Sequence, residues 1–265
     1  MMLSRREFFL ASVGLGAGAL DAFDASCNYI NSKNGPSVPE KAPERSPSFE
    51  EYFRTAETVI KHPIYRSASI SIMSVDAQGA RRSLGHGGLF VDENRTPYIM
   101  TQWHVVSFGN NGTFDLLMPG IGYWRVNNLG WGGMQNKRLD TDANVIYYPN
   151  IQTNIGQKIK SSIANGDVIP LNQYVPYGIN SFRAVTVMAD KGTIADLTFA
   201  GYNSDLNRLV FDVTQGRVCR GFSGQPVLVF ENGIVTNKSC GLVAEASIET
   251  NRDCTSIKIY ARPHI

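Results

Sequence analysis

A serine flanked by glycines is the feature of this sequence best suited to chemistry. Residues 220–228 read Arg-Gly-Phe-Ser-Gly-Gln-Pro-Val-Leu, so Ser223 has Gly221 two positions before it and Gly224 directly after it. Glycine adopts backbone conformations that a Cβ resists. That freedom allows the amides of Gly221 and Ser223 to point at one developing negative oxygen. An ordinary hairpin turn uses the same residue types, so a nucleophile is one interpretation and a plain turn is the other.

A serine nucleophile needs a general base, and His104 is the histidine best placed to be one. It follows the apolar run 98–101, which is predicted to be a buried strand, and a glycine-rich strand at 87–91 comes shortly before. The other three histidines lie beside a predicted helix stop, in a glycine turn and next to the last residue: His62, His86 and His264. A histidine satisfied within the core is the alternative interpretation of His104.

The chain from residue 65 onward is predicted to form strands nearly throughout. Apolar and polar residues alternate in short runs, of which 69–75 is the clearest, and turn residues separate the runs. About six runs precede Pro149 and about six follow residue 182, with a less regular stretch at 150–176 and no convincing long helix. This pattern predicts an all-β fold of two six-stranded antiparallel β-barrels.

Two motifs in combination resemble those of the chymotrypsin-like, or trypsin-like, serine proteases. G-x-S-G-x-P occupies 221–226, and T-x-x-H-V-V occupies 101–106 after the G-G-x-F-V strand at 87–91. The resemblance is to the bacterial type and covers roughly residues 65–265. It implies the trypsin-like serine protease fold with the active site between the two barrels, His104 as the general base and Ser223 as the nucleophile.

The same resemblance implies an aspartate between these two residues, just before an apolar strand. Segment 139–146 reads Leu-Asp-Thr-Asp-Ala-Asn-Val-Ile, and the family's Thr-Asp pattern assigns the role to Asp142. Its carboxylate would accept a hydrogen bond from the far ring nitrogen of His104 and stabilise the imidazolium. Asp140, one strand repeat away on the same face, is the alternative. Either residue would otherwise be a solvated aspartate at the start of a strand.

Three residues depart from the family's pattern. Phe222 stands where digestive members have an aspartate that pairs with a new amino terminus, Gln225 replaces a common glycine, and Trp103 replaces a small residue. Phenylalanine cannot form that ion pair, so the oxyanion hole at Gly221 and Ser223 is expected to be held by other packing. Gln225 is expected to be tolerated if its side chain points away. None of the three changes removes a catalytic group.

Substrate binding is assigned by the same resemblance to Ala244, Glu245 and Ala246, which would pair with the substrate backbone as an added strand. Arg217 is expected near the pocket floor, where it would favour an acidic substrate side chain. Glu245 would favour a basic side chain nearby. Because Arg217 can equally be a solvated surface residue, the sequence leaves specificity open.

The four cysteines are Cys27, Cys219, Cys240 and Cys254. The resemblance favours a disulfide between Cys219 and Cys254, which would tie together the two loops of the primary pocket. A Cys219–Cys240 pair is the alternative. No CxxC motif or His/Cys spacing indicates a metal site, and triad chemistry needs no cofactor.

The first residues are predicted to be a targeting segment rather than part of the fold. Residues 4–10, Ser-Arg-Arg-Glu-Phe-Phe-Leu, resemble the twin-arginine export motif, and a mild apolar run of signal-peptide length follows. An amphipathic helix is the alternative for this segment. Lipid attachment at Cys27 is disfavoured because Asp24 occupies a position where that signal has an aliphatic residue. We therefore expect an exported protein, periplasmic or secreted.

The predicted organisation has four parts. They are a twin-arginine-type signal peptide, a Pro-rich linker with a short helix, an N-terminal β-barrel and a C-terminal β-barrel, at residues 1–27, 28–62, 63–150 and 151–265.

Composition excludes some classes of partner. The formal net charge is +2 and there is no basic block, so no nucleic-acid partner is predicted. No apolar run reaches the roughly 20 residues that a membrane-spanning helix needs.

Together the observations predict an exported serine endopeptidase that acts on a protein or peptide substrate, while the oligomeric state is not indicated. A catalytically inactive binding module on the same fold and an esterase using the same triad are the alternatives.

Overall fold

The computed structural model describes ten stretches of the chain. They are residues 61–107, 113–127, 131–132, 143–150, 152–176, 178–188, 193–216, 218, 221–247 and 258–264. All of them belong to one compact unit. The predicted signal peptide and linker lie outside the described residues, except for Lys61 and His62.

Three helices and fourteen strands make up the described residues. The helices are α1 Pro63–Ala68, α2 Trp103–Ser107 and α3 Asn154–Ala164. The strands are β1 Ile70–Val75, β2 Arg81–Val91, β3 Pro97–Gln102, β4 Thr113–Met118, β5 Gly122–Asn127, β6 Trp131–Gly132, β7 Asn144–Tyr147, β8 Asn172–Gln173, β9 Arg183–Met188, β10 Thr193–Asn203, β11 Arg208–Gly216, β12 Pro226–Glu231, β13 Ile234–Ser247 and β14 Lys258–Pro263. In this part of the chain no helix has both the length and the apolar character to cross a membrane.

The first sheet contains seven antiparallel strands in the order β5-β4-β1-β2-β3-β7-β6. Strand β4 shows why it packs: Phe114, Leu116 and Met118 alternate along it and are fully buried, as the period of two in a strand requires. Asp115 between them is also buried, and its carboxylate accepts hydrogen bonds from Arg81 at 2.7 Å and Arg125 at 2.9 Å. The apolar side chains form the first core of the protein.

The second sheet closes on itself. Its strands follow the order β12-β9-β10-β11-β14-β13-β8, and an additional pairing of β12 with β13 completes a ring of six antiparallel strands. The two-residue β8 lies outside this ring and pairs in parallel with β13. The ring encloses a second core that includes Phe211, Val227 and Phe222. A third cluster lies where the two sheets meet and joins Phe90 and Met100 to residues of the second sheet.

The predicted fold class is confirmed, because the described residues are mostly strands in two antiparallel sheets. The second sheet has the predicted ring of six strands. The first sheet has seven strands, since it also contains the short β6, which was not predicted. This arrangement is consistent with two barrels.

The stretch at 150–176 was predicted to be irregular, and that prediction is wrong. It contains α3, whose start is capped by Thr153, since Thr153 Oγ1 accepts a hydrogen bond from the Gly156 N–H at 3.2 Å. Ile155, Ile159 and Ile163 follow at intervals of four residues and pack against the first core, which is the spacing of one helix face.

The predicted helix stop beside His62 is Pro63, and the structure gives this proline a second role. Residue 61 is helical and His62 is extended, in agreement with a stop. Pro63 then begins α1, because the first turn of a helix does not use the N–H that proline lacks.

Candidate active site

Ser223 lies at the corner of a tight turn that enters β12. The Phe222 carbonyl accepts a hydrogen bond from the Gln225 N–H at 2.9 Å, and Gly224 has a φ of +80°. Both features are those of a type II turn, in which the third residue needs a positive φ and is therefore usually glycine. The Phe222 side chain is buried in the second core, while Ser223 is half-buried. The turn thus presents the serine next to a fixed apolar anchor.

The turn also sets the direction of the Ser223 N–H. All described peptide bonds are trans, so an N–H points opposite to the preceding carbonyl. Because the Phe222 carbonyl faces the Gln225 N–H inside the turn, the Ser223 N–H points outward. An amide in this orientation can donate to a negatively charged oxygen.

The peptide group that follows Ser223 is bonded to both sheets. Its carbonyl accepts a hydrogen bond from the His86 N–H in β2 at 2.8 Å, and its amide, the Gly224 N–H, donates to the Val243 carbonyl in β13 at 2.8 Å. The Val243 N–H in turn donates to the Gln225 carbonyl at 2.8 Å. The turn is therefore fixed at the meeting of the first and second sheets.

His86 holds the same turn with its side chain. It was expected in a glycine turn, but it lies within β2 and is fully buried. Its Nδ1 lies 2.6 Å from the Gly221 carbonyl oxygen, and since a carbonyl can only accept, Nδ1 carries the proton. This bond fixes the peptide group between Gly221 and Phe222. Gly221 itself has a φ of +98°, a conformation that a side chain would strain.

Two glycines permit this close approach. A Cβ on Gly85 would lie 2.7 Å from the Ser223 carbonyl oxygen and 2.9 Å from Val105 Cγ2. A Cβ on Gly224 would overlap the His86 carbonyl oxygen and Thr101 Oγ1. The turn and helix α2, which carries Val105, therefore both contact β2 at Gly85.

His104 lies in α2, the short helix that begins directly after β3. Val105 and Val106 are fully buried and anchor this helix in the first core, whereas His104 is half-buried. The Trp103 N–H donates to the Ala143 carbonyl at 2.7 Å, so the start of α2 is bonded to the chain just before β7. Trp103, for which room was expected to be needed, packs partly buried against the first core.

Ala143 is the first described residue after the two candidate aspartates. Asp140 and Asp142 lie outside the described residues. The Gln102 side chain donates to Asn144 Oδ1 at 2.8 Å, and these two residues are paired across β3 and β7. The contacts of Trp103 and Gln102 thus join the start of the His104 helix to the segment that follows Asp142 in sequence.

The predicted substrate segment continues β13 beyond Pro226, the first residue of the paired strand β12. Glu245 pairs with Tyr260 and Ala246 pairs with Ile259, both in β14. Among the described strands, none pairs with Ala244–Ala246 on the side of β13 that β12 occupies up to Leu242. Glu245 is exposed, and the two alanines are half-buried. A strand edge in this position, directly after Val243, lies next to the Ser223 turn and can accept an extended peptide.

Cys240 is a free, fully buried thiol in the second core. Its Sγ donates to the Val227 carbonyl at 3.5 Å, and burial raises the pKa of the thiol. The alternative disulfide between Cys219 and Cys240 is therefore not formed. Cys219, Cys254 and Arg217 lie outside the described residues. Within the described ranges, no group of three or more His, Cys, Asp or Glu side chains is arranged to hold a metal ion.

Two residues that hold the turn were missed or misjudged from the sequence. His86 was set aside, although the glycines at 85, 87 and 88 around it signal a strand that another segment approaches closely. Gln225 was considered only as a replacement to be tolerated if its side chain points away, and the structure shows that side chain fully buried.

The comparisons with known proteins concern the fold alone. No protein-family model matches the sequence, and no curated protein matches it. Among solved structures, HL collagenase is similar with 13% identity over 76% of this chain and 90% of that chain, at a TM-score of 0.48. Human heparin binding protein gives 12% identity, 76% and 88% coverage and a TM-score of 0.42. A structure from work on the intrinsically disordered Sesbania mosaic virus VPg protein is similar with 12% identity over 72% of this chain and 85% of that chain, at a TM-score of 0.40. At these values the matches assign no chemistry to this chain.

Proposed function

We propose that this protein is an exported serine endopeptidase of the trypsin-like, bacterial type. The observation that supports it most is the setting of Ser223. The serine stands at the corner of a glycine-flanked turn with its N–H directed outward, and the turn contacts β2 at Gly85 together with the helix of His104. A nucleophile, an oxyanion donor and a base are needed within one site for acyl transfer.

The proposed reaction starts with attack of Ser223 Oγ on the carbonyl carbon of a peptide bond. His104 takes the hydroxyl proton as the C–O bond forms, and the carbonyl π electrons move to the oxygen. The amides of Gly221 and Ser223 donate to that oxyanion, and one such donor contributes about 3–4 kcal/mol in comparable sites. When the C–N bond breaks, the leaving amine takes the proton from His104. Water then hydrolyses the acyl-enzyme by the same steps.

Asp142 is proposed to accept a hydrogen bond from the second ring nitrogen of His104, with Asp140 as the alternative. This bond would select the tautomer that leaves the other nitrogen free to accept a proton. The bond from Trp103 to Ala143 supports the assignment, because it joins the His104 helix to the residue next to Asp142.

The proposed substrate is a protein or peptide in an extended conformation. Its backbone would add to the edge of β13 at Ala244–Ala246, which places the scissile bond beside Ser223. Arg217 and Glu245 are the charged residues proposed to bias the choice of side chain, and Cys219–Cys254 is the disulfide proposed to join the pocket loops. Export is proposed from the twin-arginine motif alone.

The test is turnover of a peptide library by the purified full chain, with product masses read by mass spectrometry. We expect cleavage by the parent and a loss of roughly 10⁴-fold or more in kcat for Ser223→Ala and His104→Ala. Asp142→Asn should fall by about 10⁴-fold while Asp140→Asn stays near the parent. Ester hydrolysis without peptide cleavage would favour the esterase instead. No turnover of either by a folded parent would leave the inactive binding module.

A further inference from the structure

Gln225 joins the nucleophile turn to a segment far away in the sequence. Its side chain is fully buried, and Nε2 donates to the carbonyl of Ala68, the last residue of α1. The same nitrogen donates to the carbonyl of Val187 in β9. An amide NH₂ has two hydrogens, so both are used, one on each carbonyl. The side chain therefore connects the turn to α1 and to the second sheet.

The backbone of Gln225 holds the part of the turn that matters for catalysis. Its N–H is bonded to the Phe222 carbonyl, and its carbonyl accepts from the Val243 N–H. Since the Phe222 carbonyl fixes the direction of the Ser223 N–H, the position of Gln225 determines where that donor points. A shift of Gln225 would tilt the donor away from a developing oxyanion.

Helix α1 is a firm anchor because it has further attachments. Ser67 and Ala68 are fully buried. The Pro63 carbonyl accepts from the Ile169 N–H at 3.3 Å, and the Ser69 hydroxyl donates to the Val187 carbonyl at 3.1 Å. Loss of the Gln225 side-chain bonds would therefore release the turn from α1 while α1 keeps its place.

We propose that Gln225 is a positioning residue, which acts through the Ser223 N–H by tying the nucleophile turn to α1. The inference rests on the proposed protease function. It gives helix α1, Pro63–Ala68, a part in the site. This helix is the fixed element to which the Gln225 side chain bonds the turn.

The chemistry of the site explains why this residue is a glutamine. Both partners are carbonyls, so the side chain must supply two donors and an anion would be repelled. Gln225 Oε1 is buried without a hydrogen-bond partner among the described residues, which shows that the donor half of the amide is the half in use. Leaving an acceptor unpaired in the core is costly, and the two donated bonds offset that cost.

The test compares Gln225→Met, which has the same length and no donors, with the parent and with Ser239→Ala. Ser239 is a matched control because its buried hydroxyl bonds to His264 Nε2 at 2.9 Å, in a buried polar pair that plays no part in the turn. Gln225→Asn, which keeps the amide but is one methylene shorter, is the second variant should the first fail to fold.

Three quantities are measured on folded protein: kcat, KM and the affinity for a peptide boronic acid, which forms an oxyanion-like adduct with serine. The concentration of active protein is determined by active-site titration. Removal of a whole oxyanion donor costs about 10²–10³ in kcat, so a tilted donor should cost about 10- to 100-fold. We expect that fall in kcat and in boronate affinity for Gln225→Met, with KM unchanged. Ser239→Ala should lower thermal stability alone.

Unchanged kcat in Gln225→Met, beside an active parent, would overturn the inference and leave the proposed function standing. An inactive parent would defeat the proposed function, and the inference is then decided by amide hydrogen exchange of residues 221–225. Faster exchange there in Gln225→Met than in Ser239→Ala supports the tie to α1, and equal exchange contradicts it.

Discussion

Replacing His86 by leucine is the perturbation that most sharply separates the packing of the Ser223 turn from the proposed triad. Leucine fills the buried site with an apolar side chain but removes the Nδ1–H that donates to the Gly221 carbonyl at 2.6 Å. The backbone bond from the His86 N–H to the Ser223 carbonyl does not depend on the side chain. The change therefore removes the side-chain bond to Gly221, one of the two residues proposed to supply an oxyanion donor.

The size of the effect follows from the carbonyl that is left without a donor. An unsatisfied acceptor beside a buried side chain costs about 1–3 kcal/mol. The turn can avoid that cost by rotating the peptide group between Gly221 and Phe222. This rotation would displace the two flanking peptide groups, which carry the proposed oxyanion donors, the Gly221 and Ser223 N–H groups. At about 1.4 kcal/mol per tenfold, the competent population then falls by about 5- to 150-fold. The unfolding free energy should fall by no more than the same 1–3 kcal/mol.

The assay is the second-order rate of inactivation by a fluorophosphonate, with kcat measured on the same preparations. His86→Asn is the matched control, since the asparagine amide nitrogen stands close to the place of Nδ1 and can donate to Gly221. We expect His86→Leu to be slow in both assays and His86→Asn to recover most of the rate. A folded His86→Leu protein as reactive as the parent would refute the role assigned to this bond.

Three further outcomes follow from the contacts. Gly85→Ala places a Cβ 2.7 Å from the Ser223 carbonyl oxygen, so peptide turnover should fall at least tenfold while circular dichroism stays that of the parent; normal turnover would contradict the close approach. Burial lowers the pKa of His264 to about 3, below the pKa of this side chain in the unfolded chain. The contribution of neutral His264 to the unfolding free energy is therefore complete above pH 6.5. It is lost as pH falls toward 3, by up to about 1.4 kcal/mol per pH unit. Urea unfolding at pH 7 and pH 4 should therefore show a smaller difference for His264→Gln than for the parent, and an equal difference would count against this assignment. Burial raises the pKa of Asp115, but hydrogen bonds from two arginines outweigh it and lower the pKa overall; Asp115→Asn should reduce the unfolding free energy at pH 7 by about 1–3 kcal/mol, and an unchanged unfolding curve would speak against it.

Much of the fold is readable from the sequence because strands have a local signature. The alternation at 69–75 and the apolar residues of 114–118 predict β1 and β4, since one face of each strand packs into a core. Helix α3 was also readable, because Thr153 is a good cap and three isoleucines follow at helical spacing. It was missed because polar residues dominate the rest of its sequence.

The contacts that set the site are less accessible from sequence. Ser223 and its glycines were recognised because a tight turn needs particular residues at adjacent positions. Gln225 and His86 act on partners more than a hundred residues away in the chain: Gln225 bonds to Ala68, and His86 bonds to Gly221. No local pattern encodes such a pair, so only the packing of the two sheets reveals these roles.

The central claim is that Ser223 is a nucleophile activated by His104. The most direct measurement is fluorophosphonate labelling of the purified full chain, followed by peptide mapping of the modified residue by mass spectrometry. We expect one phosphonyl group on Ser223 in the parent, and none in Ser223→Ala or His104→Ala. A folded parent that stays unlabelled, or a label on a residue other than Ser223, would contradict the claim.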